Sequence, residues 1–211
     1  INFKPKIITM LGICAGRDDK VKLGEIIVAN KLFNYQAGKV ELVEKKEGEI
    51  KLTDPKTNEI KNYTKKFKAD YDERALDDTY FQIFESIQKE YTHDIRESWN
   101  DLNKMSNEDE RNLPKVHIGP MATGSAVIAH DQVFEEISEH SRKVIALDME
   151  GYSIFVAAQM INKNTIPLVI KGVQDHASHI KNDDYRNYSI YVAARFFYEV
   201  CVNKLIDEII K

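Results

Sequence analysis

Apolar and polar residues fall along this chain in blocks, and the blocks predict strands alternating with helices. Ile7 to Cys14 is a continuous apolar run, as expected of a strand buried on both faces. The turn-forming residues Ala15 to Asp19 follow, and Leu23-Gly24 then leads into a β-branched strand at Glu25 to Asn30. After a turn at Ala37-Gly38, Val40 to Glu44 alternates in period two and reads as a half-exposed strand. Val116 to Gly119 and Lys143 to Leu147 read as short strands, and Thr165 to Val173 as a longer one. Between the last two, Gly151 to Asn162 has helical spacing, with Ile154, Ala157, Ala158 and Ile161 on one stripe. Gln132 to His140 is weakly helical. Tyr188 to Ile210 reads as a long closing helix with Ala194, Phe197, Cys201 and Leu205 facing inward.

The pattern thins from Lys45 to Arg111, where Lys, Glu, Asp and Asn dominate and Asp54-Pro55 and Thr57-Asn58 mark turns. Asp70 to Tyr91 has helical spacing through Leu76, Tyr80, Ile83, Phe84 and Ile87, and Trp99 and Leu102 continue it in a second helix. The stretch is expected to leave the core strands and pack helices on the rim, with a lid or an oligomer contact as the alternative. Strands alternating with helices argue for one α/β domain over residues 1–211, with a mixed, mainly parallel central sheet covered by helices and a charged insertion at about 45–111.

Composition narrows the class. Hydrophobic residues make up 43% of the 211 and charged residues 30%, as in an ordinary globular protein. A net charge of −4 gives no pull toward nucleic acid or anionic membrane. No apolar run nears the roughly 18 residues of a membrane span, and Ile1 to Lys6 lacks the pattern of a signal peptide. The two cysteines, Cys14 and Cys201, lie in apolar runs and read as buried free thiols of a reducing cytoplasm. The six scattered histidines suggest no metal site.

Open α/β sheets bind ligands beyond the carboxyl ends of their strands. Four strand ends are informative: Gly12 to Gly16, Gly119 to Ile128, Asp148 to Gly151, and Gly172 to His176. Singly, Glu150 reads as an acid placed well in a first helical turn, Asp175 as a cap, and the glycines as turn residues. Two carboxylates on successive strand ends, with Met149 beside them and two glycine-bearing loops, suit a ligand with a polyol and a flat heterocycle.

These residues carry a resemblance. Leu147-Asp148-Met149-Glu150-Gly151, followed by Val173-Gln174-Asp175-His176-Ala177, resembles the nucleoside phosphorylase superfamily, in particular its methylthioadenosine/S-adenosylhomocysteine nucleosidase-like branch. Gly12 to Gly16 is similar to the family's glycine loop, Leu23 to Val28 to its next strand, and Thr123 to Ile128 to its base-pocket loop. The resemblance implies a three-layer α/β sandwich that cleaves the N-glycosidic bond of a purine nucleoside or nucleotide without a cofactor. It implies Glu150 on the ribose hydroxyls, Met149 against the sugar, Asp175 as general acid at purine N7, and Val127, Ile128 and Gln174 at the base.

The departures bear on the nucleophile. Met10 and Ile13 stand where phosphorylases of the family carry phosphate ligands, which favours water. A phosphorylase and a non-catalytic nucleotide sensor remain the alternatives. Val127 replaces a stacking phenylalanine and widens the pocket. Arg17 and Lys171 flank two strand ends, placed either to meet a phosphorylated 5′ group or to be ordinary solvated charges. The family's members carry further chain ahead of the strand that opens this one, so the 211 residues read as a fragment. Tyr191, Phe196, Tyr198 and Val202 off the inward stripe of the last helix, with Tyr63, Phe67, Tyr71 and Trp99, predict a homodimer or higher homo-oligomer.

Overall fold

The computed structural model describes residues 4–86, 114–126, 132–139, 141–178, 184–199 and 202. The apolar runs become the strands β1 (Ile7–Gly16), β2 (Ile26–Asn34), β7 (Val116–Thr123), β8 (Ala146–Asp148) and β9 (Ile166–Asp175). With β6 (Glu73–Ala75) they form one mixed sheet in the order β6-β2-β7-β8-β1-β9. Pairs β1–β9, β2–β7 and β7–β8 are parallel, whereas β1–β8 and β2–β6 are antiparallel. An antiparallel pairing of residues 26–28 with residues 170–172 joins β2 to β9, so the sheet curls until its two sides meet.

Curling encloses the core. Ile26, Ile27, Val28 and Leu32 of β2 pack with Leu168, Val169 and Ile170 of β9, all nearly inaccessible. Pro120 sits inside β7 although it cannot donate to a ladder. The register shift beside it, which leaves Asn30 as an extra residue in β2, is where that missing donor is tolerated. β1 is only partly buried along most of its length, and Leu11 is exposed, so the expectation of burial on both faces does not hold.

Helices α3 (Gly151–Ile161) and α4 (Arg186–Phe196) pack on the sheet, but with different stripes from those the spacing predicts. In α3 the buried residues are Gly151, Phe155 and Ala158, and Ile161 is exposed. In α4 they are Ser189, Val192, Ala193 and Phe196, while Ala194 is exposed. Phe196, expected on the outer surface, is a core residue. The expected inward residues Cys201 and Leu205 lie outside the described residues, as do Ile87, Trp99 and Leu102. The short helix α2 (Val133–Ser138) follows its predicted span and buries Val133, Phe134 and Ile137.

The 45–86 stretch also differs from expectation. Its first half is a hairpin, β4 (Ile50–Thr53) and β5 (Ile60–Ala69), paired with β3 (Gly38–Glu44) in a separate three-stranded sheet. Asp54 closes the hairpin by accepting from Lys56 N at 2.8 Å, and Asn58 turns the chain at φ 60°. The helix predicted from Asp70 begins later, because residues 73–75 add to the edge of β2. Asp77 then caps a helix, α1, described over 78–86: its Oδ1 accepts from Thr79 N at 2.9 Å.

Candidate active site

The parallel neighbours β7 and β8 end side by side, with Thr123 opposite Asp148. Asp148 is buried, and its partners come from three elements. Thr123 Oγ1 donates to Asp148 Oδ1 at 2.7 Å, and Gly151 N, opening α3, donates to Oδ2 at 2.9 Å. Tyr152 N donates in turn to Thr123 Oγ1 at 3.1 Å. Two orphan donors of the α3 N-terminus are thereby satisfied, and a carboxylate sits where the helix dipole favours negative charge. A Cβ at residue 151 would lie 2.8 Å from Asp148 Oδ2, so any larger residue there would displace the carboxylate.

The third partner is Lys171. Its side chain is 4% exposed, and its Nζ lies 3.1 Å from Asp148 Oδ2 and 3.8 Å from Glu150 Oε2. The stem runs across Gly12 on β1, where a Cβ would approach Nζ to 3.4 Å. Burying an ammonium is tolerable only with a charge partner, and Asp148 supplies it. Lys171 is therefore not a solvated surface charge: its ammonium pairs with Asp148 and lies at the outer edge of ion-pair range from Glu150. Glu150 itself stays open, with its side chain 58% exposed, and Met149 beside it is 42% exposed.

At the end of β9 the pairing with β1 slips by one residue: Cys14 faces Val173 and Ala15 faces Asp175. Gln174 is the extra residue of this bulge, which re-aims the side chain that follows. Asp175 Oδ2 accepts from Gln174 Nε2 at 3.0 Å, and Oδ1 accepts from Ala177 N at 2.8 Å, with Ala177 at φ 55°. His176 Nδ1 lies 2.8 Å from Gly16 O and ties this turn to β1. With its Nε2 on Asp175, Gln174 leaves its Oε1 buried and without a hydrogen-bond partner, an unsatisfied acceptor beside the carboxylate.

Cys14 links the two strand ends. Its thiol is buried, and burial pushes its pKa far up, with Asp148 and Asp175 adding to the rise and Lys171 opposing it. Both strand ends thus border one thiol that stays protonated at any ordinary pH.

Arg17 is taken by other partners. Its Nε pairs with Asp19 at 2.8 Å and its Nη1 donates to Ser138 Oγ at 2.8 Å, so its contacts lead to α2. Val127 and Ile128 lie outside the described residues. The residues just before them are held from the turn after β2: Ser125 N and Oγ both donate to Gln36 Oε1, at 2.8 and 2.9 Å, and Tyr35 packs where a Cβ on Gly124 would stand. The contacts made by Thr123, Asp148 and Gln36 were not foreseen from the sequence, although Thr123 and Asp148 lie in the motifs quoted from it. For Asp148 a signal existed, since a lone acid ends the apolar run Val144 to Leu147 and a lone lysine interrupts Leu168 to Val173. Among the described residues no group of three or more His, Cys, Asp or Glu is placed to hold a metal.

The family model described as the phosphorylase superfamily matches residues 1–195. The uncharacterized protein y4jS of Sinorhizobium fredii is 32% identical over 181 residues, which cover 85% of this chain and 38% of that protein. A death domain-containing ATP nucleosidase of Amphimedon queenslandica is 29% identical over 180 residues, 83% of this chain and 29% of that protein. The chain thus spans well under half the length of these two relatives. Among solved structures, the 5′-methylthioadenosine/S-adenosylhomocysteine nucleosidase of Neisseria meningitidis in complex with methylthio-immucillin-A superposes with a TM-score of 0.59 at 14% identity, covering 93% of this chain and 69% of that one. Futalosine hydrolase of Helicobacter pylori gives 0.61 at 12% identity, covering 93% and 68%. At such identities the structural likeness speaks to the fold, a mixed central sheet flanked by helices. The sequence match carries the assignment: this chain belongs to the phosphorylase superfamily.

Proposed function

We propose that this chain carries the site for hydrolysis of the N-glycosidic bond of a purine nucleoside or nucleotide, releasing free base and sugar. As the bond between C1′ and the purine breaks, its electron pair leaves with the base and positive charge develops on the ribose. Glu150 holds the ribose hydroxyls, and hydrogen bonds there that tighten as charge develops supply several kcal/mol in related glycoside chemistry. Met149 packs against the sugar. Asp175 gives its proton to N7 of the departing base, a step worth about 10²–10⁴-fold. Val127, Ile128 and Gln174 contact the base, and water adds to C1′ and releases a proton.

The observation that carries this reading is the placement of Glu150. An open carboxylate at a strand end lies 3.8 Å from a buried lysine that a second, buried aspartate holds in place. Likeness to the ATP nucleosidase of Amphimedon queenslandica, to the nucleosidase of Neisseria meningitidis and to futalosine hydrolase supports the same chemistry. Water is favoured over phosphate because Met10 and Ile13 offer no oxyanion ligand, and Lys171 and Arg17 are already engaged. Free base formed from a purine nucleoside or nucleotide in phosphate-free buffer tests the reading. Strict dependence on phosphate replaces it with a phosphorylase, and saturable binding without product with a sensor.

The same reading includes a homodimer or higher homo-oligomer and a cytoplasmic location. Val40, Leu42, Leu52 and Phe67 are exposed, and their register places them on one face of the three-stranded sheet; Tyr191 and Tyr198 are exposed on and after α4. The buried free thiol of Cys14 suits a reducing compartment. Light scattering at micromolar concentration tests the assembly, and a clean monomer mass rules it out.

A further inference from the structure

A cavity of about 540 Å³ opens between the end of β2, β5 and α2, lined by Tyr35, Gln36, Phe67, Tyr71, Glu136, Ile137 and Glu139. Glu150, Met149, Gln174 and Asp175 do not line it, whereas Gln36, which holds Ser125, does. Its size falls in the range of small-molecule sites. Three of its walls are aromatic rings, and Tyr71 is braced from behind by Phe33, with ring centroids 5.2 Å apart and planes 27° from parallel. Ile137, buried, is its apolar floor. Glu136 and Glu139 stand three residues apart at the C-terminal end of α2, the spacing that puts two side chains on one helix face. No lysine or arginine is among the described residues that line it.

Aromatic faces present negative charge to whatever lies over them, and two carboxylates at the rim add to it. The field of the carboxylates reaches the rings. Burial pushes the Tyr35 phenol up, Gln36 opposes this and Glu136 adds to it, and Tyr71 is pushed up by burial and by Glu139. An anion or a phosphorylated ligand would be repelled here.

We propose that this cavity is a binding site for a small organic cation, a primary or quaternary alkylammonium. The rings hold the alkyl groups and face the charge, and Glu136 and Glu139 set the charge preference at the mouth.

The intact protein is titrated by NMR with choline, with spermidine, and with 3,3-dimethylbutan-1-ol as the uncharged isostere of choline. Saturable binding of either cation is expected, with the isostere weaker by about tenfold, the scale of one cation–π contact. Glu136→Gln/Glu139→Gln and, separately, Tyr71→Leu should each weaken the cation about tenfold and leave base release unchanged, while added salt should weaken it further. Failure of both cations to bind overturns the proposal. So does binding that the isostere matches, or that both variants leave intact while their circular dichroism shows a native fold.

Discussion

The two strand ends that carry the candidate chemistry hold their carboxylates in opposite ways. At the end of β8, Asp148 is buried and draws on β7, α3 and β9, so the support of Glu150 is also a junction of the fold. At the end of β9, Asp175 is held by its neighbour Gln174 and by the amide two residues on, within a single turn. The first end is costly to disturb because its charges are out of water. The second is held by local contacts alone, so a change there is expected to disturb the fold little. Site and stability are coupled at one carboxylate and nearly independent at the other.

The largest effect should come from Lys171→Met. Removing the ammonium leaves Asp148 buried without a counter-charge, which typically costs about 3–5 kcal/mol. Urea unfolding measures it, and adding Asp148→Asn to the same chain should recover part of the loss, since the two residues act as a pair. Asp175→Asn should do the reverse. It is expected to reduce base release by more than about two orders of magnitude and to change unfolding free energy by less than about 1 kcal/mol, within the range of substitutions that keep local contacts. An Asp175→Asn protein as unstable as Lys171→Met would erase the contrast between the two ends.

Smaller effects sharpen it. Thr123→Val removes the hydroxyl that joins Asp148 Oδ1 to Tyr152 N and should cost about 1–3 kcal/mol, as expected for stranded buried partners. Cys14 reports on the space between the ends through pH. Its folded pKa is raised above the ordinary value of 9.0, so above that pH the unfolded chain has lost a proton that the folded chain keeps. Stability is intact below about pH 9 and falls above it by about 1.4 kcal/mol per pH unit for this one group. Cys14→Ala should remove that part of the alkaline slope in unfolding experiments from pH 8 to 10, and an unchanged slope would mean that the thiol is not shielded.

Much of the fold was legible because apolar runs are local. Ile7 to Cys14, Thr165 to Val173 and the helix after Glu150 lie where their patterns put them. Helix stripes were less legible: Phe196 and Phe197 are adjacent and equally apolar, and only packing on β9 and β1 decides that Phe196 faces inward. The three-stranded sheet was missed past β3 because its strands are mostly exposed, and Lys61, Lys65 and Lys66 mask the alternation of Tyr63 and Phe67. Glu150 and Asp175 were visible as acids after apolar runs. Their supports were not, since the Asp148–Lys171 pair spans two strands and the bulge at Gln174 exists only in the register of β9 against β1.

The central claim is that water attacks C1′ while Glu150 and Asp175 serve sugar and base. Turnover of a purine nucleoside or nucleotide in ¹⁸O-labelled water, with and without added phosphate, tests it most directly. The account predicts one labelled oxygen on C1′ of the released sugar in both buffers, and no label or free base beyond background with Asp175→Asn. Unlabelled sugar 1-phosphate, formed only when phosphate is present, would contradict it.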